Sequence, residues 1–328
     1  MKKMITLAMG VALANVAQNS YALDICVFDV MGTQGDIANV MKDYVLVAQQ
    51  WKVDIRPKIY TNLAKAMQDF EDNRCDGLVA DNFTTKKYNN FMSTVGAVGA
   101  IPNYTVAQQV FQALSSPRLA HKFNQSKYEV VGYIPYGFAY LFNKNRSLNA
   151  LTDIAGQRIG VMEADPAQRR MAQKLGLVPI PMNIDNVAQK FKANNFDLMP
   201  MPLIAYQAFD GKTILGDKGG IANYPLSMVS FNIILKKGNY PIDLGQKSRN
   251  WFSQQSGRMI QNSRNWQAQL PKHTFYELSK LDYPNYDRLI AQLRKEFIEN
   301  KIYDPSMITL IRHLNCQHDP QYLECKPK

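Results

Sequence analysis

Residues 151–206, LTDIAGQRIGV through FDLMPMPLIAY, constrain this chain more than any other stretch. Each apolar run ends in a turn signal, in the rhythm strand, helix, strand, helix, strand. Ile159 to Met162 is a short apolar run, and Asp165-Pro166 then opens a helix. Aspartate is a good N-cap, and proline at the first helical position lacks an N–H that would be unsatisfied anyway. Gly176 closes the helix, Leu177 to Met182 is the next strand, and Asn183 or Asp185 caps a helix running to about Asn194. That helix leads into a third strand, Leu198 to Ile204. Two βα units in succession require parallel strands, and such sheets bind ligands at the carboxyl ends of their strands.

The mature amino terminus repeats this rhythm. Ile25 to Val30 reads as a strand, Met31 to Asp36 as a glycine-bearing turn, and Ile37 to Trp51 as an amphipathic helix. Val53 to Tyr60 is a second strand, Thr61 caps a helix to about Glu71, and Gly77 to Ala80 is a third strand ending at Asp81-Asn82-Phe83. The segment 85–130 mixes apolar runs and helical patches without a clear order. Two long β-rich stretches, Val130 to Phe142 and Leu226 to Lys236, bracket the central αβ block. From Asp243 onward the chain reads as mostly helical and polar, with amphipathic stretches at 244–268 and 286–300.

The central segment, through "L-x-D-x-x-G", "K-L-G", "V-P-I-P-M" and "N-N-F-D", resembles the TRAP-type (DctP-like) periplasmic solute-binding proteins. Within them it is similar to the divergent AdeT-like branch, some members of which carry an efflux label. The match is good over about fifty residues. The fold expected is α/β, a two-lobed periplasmic binding protein of type II-like architecture. Each lobe is a mainly parallel sheet flanked by helices, with a helical carboxyl-terminal extension. The two long strands cross between lobes, so lobe one is discontinuous (23–146 plus 223–328) and lobe two is 147–222. The resemblance also implies an arginine on the first strand of lobe two, which forks onto a ligand carboxylate. Aligned here, that position is Gly160, and the nearest basic residue is Arg158, two residues earlier on the same face.

Residues 1–22 read as a cleaved secretory leader: basic Met1-Lys2-Lys3, an uncharged apolar stretch from Ile5 to Val16, and small-x-small at Ser20-Tyr21-Ala22. Leu23-Asp24-Ile25-Cys26 is a poor acylation site, so a periplasmic protein without lipid is expected. No later segment approaches a spanning length of apolar residues. The formal charge is +11, two units of it from Lys2 and Lys3, but the basic residues are scattered and point to no nucleic-acid partner. Four cysteines in an oxidising compartment suggest two disulfides, Cys26–Cys75 and Cys316–Cys325. In a 2-1-3 sheet the strands beginning near Cys26 and Cys75 are neighbours. His313, Cys316, His318 and Cys325 offer zinc as the alternative.

No nucleophile elbow, zincin motif, P-loop or dinucleotide fingerprint is present, so the expectation is a binder without cofactor, metal or catalysis. Strand-end logic nominates Asp29, Gln34, Asp81, Asn82 and Phe83 from lobe one, and Glu163, Asn183, Met201 and Tyr206 from lobe two. Tyr136 and Asn223 come from the crossing segments, and Arg158 is a further candidate. Asp165 reads first as a cap. Tyr136, Phe138 and Tyr140 alternate, which reads as one strand face packed into the core or hinge. The expected partner is a small polar solute, either an organic acid or a cationic amine or amino sugar, with an inner-membrane transporter downstream. The alternative is an accessory of an envelope efflux system.

Overall fold

The computed structural model describes residues 21–238, 240–280 and 283–325. The expected leader lies outside these residues except for Tyr21 and Ala22. The described strands are β1 (Tyr21–Phe28), β2 (Val53–Tyr60), β3 (Gly77–Asp81), β4 (Asn124–Gln125), β5 (Tyr128–Asn143) and β6 (Arg158–Met162). They continue with β7 (Val178–Met182), β8 (Leu198–Pro202), β9 (Gly220–Ala222), β10 (Ser227–Lys236) and β11 (Phe275–Tyr276). The main path across the sheet is β2-β1-β3-β10-β5-β8-β6-β7. β1, β2 and β3 are mutually parallel, as are β6, β7 and β8. The first half therefore has the expected 2-1-3 order, and the second half repeats it as β7-β6-β8. Between them run β5 and β10, antiparallel to each other and to their outer neighbours β8 and β3.

Local chemistry accounts for the edges. β7 carries Pro179 and Pro181 and bonds only to β6, which suits residues that have no N–H to give a second neighbour. The helix Asp36–Gln50 buries Ile37, Met41, Tyr44 and Ala48, a stripe of helical spacing that covers β1 and β2. Disulfide Cys26–Cys75 ties β1 to the residues just before β3, and Cys316–Cys325 closes the carboxyl-terminal helix onto the turn after it. With their sulfurs joined, Cys316 and Cys325 offer no thiolate for zinc.

Three features differ from the sequence reading. β1 begins at Tyr21 rather than Ile25, because Tyr21 and Ala22 extend the ladder opposite Val53 and Asp54. The segment 85–130 resolves into short helices, Asn90–Ser93 and Tyr104–Ala113, with 3-10 turns before, between and after them (Thr84–Lys87, Thr94–Gly96 and Pro117–Phe123). The extension carries a third long helix, Pro305–His318, capped by Asp304 with proline at its first turn, the same Asp-Pro signal as at 165–166.

The extension braces both halves. Helix Leu244–Gln269 lies on β5, where Gly132 leaves room for the Phe252 ring. Its Arg249 is buried and donates to Glu129 (2.8 Å) and to the Val130 carbonyl (2.9 Å). Helix Tyr283–Glu299 touches the first half through Arg294 Nη1, which donates to the Val98 carbonyl at 2.8 Å. It reaches the second half through Glu296, 3.2 Å from Lys174. A small separate core of Ile154, Ile159, Val161, Ala172, Leu177 and Leu198 fills the outer side of the second half.

Candidate functional site

A cleft of about 1090 Å³, its open mouth included, lies where the carboxyl ends of the two parallel sets face each other. From the first half come Phe28 and Asp29 at the end of β1, and Asp81 and Phe83 at the end of β3. From the second come Met162 at the end of β6, Asp165 just beyond it, and Pro200, Met201 and Pro202 on β8. Tyr136 and Phe231 of the crossing strands form part of the wall, and Tyr303 arrives from the extension. This is the position that strand topology predicts for a ligand.

A β-bulge delivers Tyr136. Val229 pairs with Gly137 but Ser230 pairs with Pro135, so Tyr136 is the unpaired residue. Gly137 adopts φ +111°, which a side chain would strain. The bulge breaks the alternation read from the sequence. Phe138 and Tyr140 stay in the core, while Tyr136 turns to the cleft and meets Phe231 edge-on at 4.9 Å. Phe231 in turn stacks on Phe28 at 6.3 Å, making a continuous aromatic wall.

Three buried carboxyl groups face this apolar space: Asp29 is 1% exposed, Asp165 5% and Asp81 8%. Each is held by the backbone that follows it. Asp29 accepts from the N–H of Met31 (2.9 Å) and of Ala38 (3.0 Å) in the first turn of helix Asp36–Gln50. A side chain at Gly35 would collide with that carboxylate, so only glycine permits the approach. Asp81 Oδ1 accepts from the N–H of Phe83 and of Thr84, both at 3.0 Å. Asp165 Oδ1 accepts from the N–H of Ala167 at 3.0 Å as the cap of helix Pro166–Lys174. Burial raises the pKa of all three above the ordinary carboxyl range, with the hydrogen bonds only partly restoring the charged form. Lys86 stands behind Asp165 and favours its ionised form. The Lys86 ammonium donates to the Ile302 carbonyl at 2.5 Å and lies 5.4 Å from the centre of the Tyr303 ring. Burial lowers its own pKa, against the pull of Asp165. Among the described residues no lysine, arginine or histidine lines the cleft.

Of the residues nominated from sequence, Asp29, Asp81, Phe83, Tyr136 and Met201 line the cleft. Asp165 both caps its helix and lines it. The others stand elsewhere. Arg158 sits at the opposite end of β6, where its Nε and Nη2 clasp Asp197 at 3.0 and 2.8 Å. Gly160 faces inward, and an added Cβ would lie 2.8 Å from Met182 Sδ and 2.9 Å from the Phe196 ring. Asn82 is structural: its Oδ1 accepts from the Ser230 N–H at 3.0 Å, stitching β3 to β10. Asn223 donates to Glu277 at 2.8 Å. Asn183 and Asn186 cap one another, each side chain accepting the other's N–H at 3.1 Å. Gln34 and Glu163 point to solvent, and the Tyr206 ring covers Gly211. Phe231 and Tyr303 escaped the sequence reading. Phe231 was hidden in the middle of a long, mostly apolar strand, and Tyr303 lies far along an extension expected only to brace.

The reciprocal Asn183–Asn186 cap leaves Asp185 free to act across the cleft. Its Oδ1 and Oδ2 accept from the N–H groups of Leu63 (2.9 Å) and Ala64 (3.2 Å) at the start of helix Leu63–Glu71 in the first half. Asn62 caps the same helix through the Lys65 N–H at 2.7 Å. A carboxylate on a helix amino terminus is favoured by free N–H groups and by the helix dipole together.

Two parallel halves joined by crossing strands, with a cleft at their facing strand ends, define a two-lobed solute-binding protein. The profile of the family described as Solute-binding protein AdeT 1/2 matches residues 46–327. The chain is 32% identical over 298 residues to AdeT1 of Acinetobacter baumannii, a probable solute-binding protein, covering 91% of this chain and 98% of that one. Its fold is similar to a TRAP periplasmic solute binding protein from Desulfovibrio salexigens solved with bound orotic acid. That similarity has a TM-score of 0.73 at 12% identity, over 92% of this chain and 99% of the other. A TRAP protein from Haemophilus influenzae with bound L-gulonate gives 0.72 at 12% identity, over 89% and 99%. The chain belongs to the AdeT 1/2 solute-binding family, and it has the fold of the TRAP periplasmic receptors. These relatives are solute-binding proteins rather than enzymes.

Proposed function

We propose that this chain is a periplasmic receptor that closes two lobes over a small solute and presents it to an inner-membrane transporter. Lobe one is 23–146 plus 223–328, and lobe two is 147–222. The observation that carries this reading is the Asp185 clasp. A carboxylate from one lobe takes two helix N–H groups of the other, while the cleft between them remains hollow. Paired crossing strands at β5 and β10 are the natural hinge for such closure. Asp29, Asp81, Phe83, Tyr136 and Met201, with Asp165, are the proposed ligand-facing set. Export through the 1–22 leader fits the two disulfides, and amino-terminal sequencing of exported protein is expected to read Leu23 first.

Small-angle scattering on the unliganded chain tests the clasp. Asp185→Ala is expected to open the cleft and enlarge the radius of gyration relative to the parent. An unchanged radius together with unchanged thermal stability would remove the basis for closure.

A further inference from the structure

The structural relatives hold organic acids, orotate and L-gulonate among them, and the walls of this cleft are built for the opposite charge. Within the receptor reading above, on which this inference rests, we propose that the ligand is a lipophilic organic cation. Its ammonium sits between Asp81 and Asp165, and its apolar body lies against Phe28, Tyr136 and Phe231.

The argument is one of charge and cover. Asp81 comes from lobe one and Asp165 from lobe two, both line the same cleft, and the Asp81 carboxylate disfavours ionisation of Asp165. Asp29 is a third buried acid on the same wall. Its two oxygens are taken by the N–H of Met31 and by that of Ala38 in the first turn of helix Asp36–Gln50, which supplies part of the positive field it needs. Lys86 offsets one of the three charges from behind Asp165, but it is anchored to the Ile302 carbonyl and does not line the cleft. That leaves acid in excess, with no cation on the walls among the described residues. An entering carboxylate would meet like charge and no fork of N–H donors. Gly160, where the resemblance to TRAP receptors implied an arginine, is sealed by Met182 and Phe196.

The remaining wall selects the body of the ligand. Aromatic faces at Phe28, Phe231 and Tyr136 form one surface, and Met162, Met171 and Met201 oppose them. Aromatic faces attract cations, and methionine sulfurs adapt to irregular apolar shapes. The Tyr136 hydroxyl receives no protein hydrogen bond among the described residues, so it remains available to a ligand. A polyhydroxylated sugar acid would strand its hydroxyls here, at a desolvation cost that an aryl or cycloalkyl amine avoids.

Isothermal titration of the full chain with 2-phenylethylamine and 1-adamantanamine, beside 3-phenylpropanoate, orotate and D-glucuronate, tests this. The amines are expected to bind and the acids not to. Asp81→Asn and Asp165→Asn, which keep the capping oxygen, should each weaken amine binding by roughly 10- to 100-fold. Tyr136→Leu, which leaves every carboxyl group in place, should weaken it by about 3- to 30-fold. Tight binding of an acid with no binding of either amine overturns the cation and leaves the receptor standing. If no member of either class binds, the cation proposal fails, and an unchanged radius for Asp185→Ala would then take the receptor reading with it. Amine binding that both Asn variants retain at full strength would put the ligand somewhere other than between these carboxyls.

Discussion

The two parallel halves share one architecture but bring different chemistry to the same cleft. In the first half, β1 and β3 run directly into Asp29 and Asp81, so the strand ends themselves carry the charge. In the second, β6 and β8 end in Met162, Met201 and Pro202, and acid arrives only with the helix cap Asp165. The cores differ in the same sense. The first half is cross-linked by Cys26–Cys75, whereas the second adds to the main core a small cluster around Ile159 and Leu198 with helix Tyr283–Glu299 packed over it. Strand order sets where a ligand sits, and the residue at each strand end sets what it can be.

The sharpest way to break this comparison is to give the second half a charge on its strand. Gly160→Arg would bury a guanidinium against Met182 and Phe196. It is expected to cost on the order of 3–5 kcal/mol in urea unfolding and to create no acid binding. A stable variant that gained affinity for an organic acid would mean the strand can turn that position toward the cleft.

The cross-links follow in size. Removing Cys26–Cys75, which closes a sequence separation of 49, is expected to lower stability by up to about 4 kcal/mol. Removing Cys316–Cys325, with a separation of 9, should cost up to about 3 kcal/mol. Calorimetry of the two double-alanine variants checks the order, and equal losses would show that loop length is not what matters here.

Acid next distinguishes the carboxyls of the cleft from those outside it. Asp29, Asp81 and Asp165 have pKa values raised by burial above 3.8, so the folded form binds protons that the unfolded chain has released. In the window just above 3.8 these three groups therefore favour the fold as pH falls and oppose it as pH rises. Asp69, Glu71 and Asp197 act in the opposite sense. Their pKa values are lowered chiefly by hydrogen bonds from Lys65, Lys87 and Arg158. Stability alone would mix the two sets, and ligand affinity separates them. Amine affinity should fall as pH drops through the raised values, and a pH-independent affinity would show that the buried acids do not meet the ligand.

The smallest effect is expected at Arg158. Its pair with Asp197 has the arginine side chain 43% exposed, so Arg158→Ala should cost no more than about 1 kcal/mol and leave ligand affinity unchanged. Loss of affinity in that variant would restore the arginine clamp that the resemblance implied.

Much of this was legible before any coordinates. The βα rhythm and the 2-1-3 order followed from apolar runs broken by Asp-Pro and glycine signals, and both disulfides from neighbouring strand starts and short sequence separation. Asp29 and Asp81 were legible because each directly follows an apolar run, Ile25 to Phe28 and Leu78 to Ala80. What escaped was non-local. Alternation placed Tyr136 with Phe138 and Tyr140, and the bulge that separates them depends on the register of β10, about ninety residues on. Arg158 has the parity of Gly160 but lies at the wrong end of the strand, and parity carries no depth. Asp185 reads as a local cap because its real partners, the N–H groups of Leu63 and Ala64, are more than 120 positions away. Tyr303 follows the helix Tyr283–Glu299, whose packing across both halves no periodicity reveals.

Amide hydrogen exchange at Leu63 and Ala64 tests the closed two-lobed account most directly, because their N–H groups are the ones Asp185 holds from across the cleft. Both are expected to be protected in the parent chain, more strongly with 2-phenylethylamine bound, and to exchange rapidly in Asp185→Ala while Lys65, capped locally by Asn62, stays protected. Equal exchange at Leu63 and Ala64 in the parent and the variant, with or without amine, would contradict it.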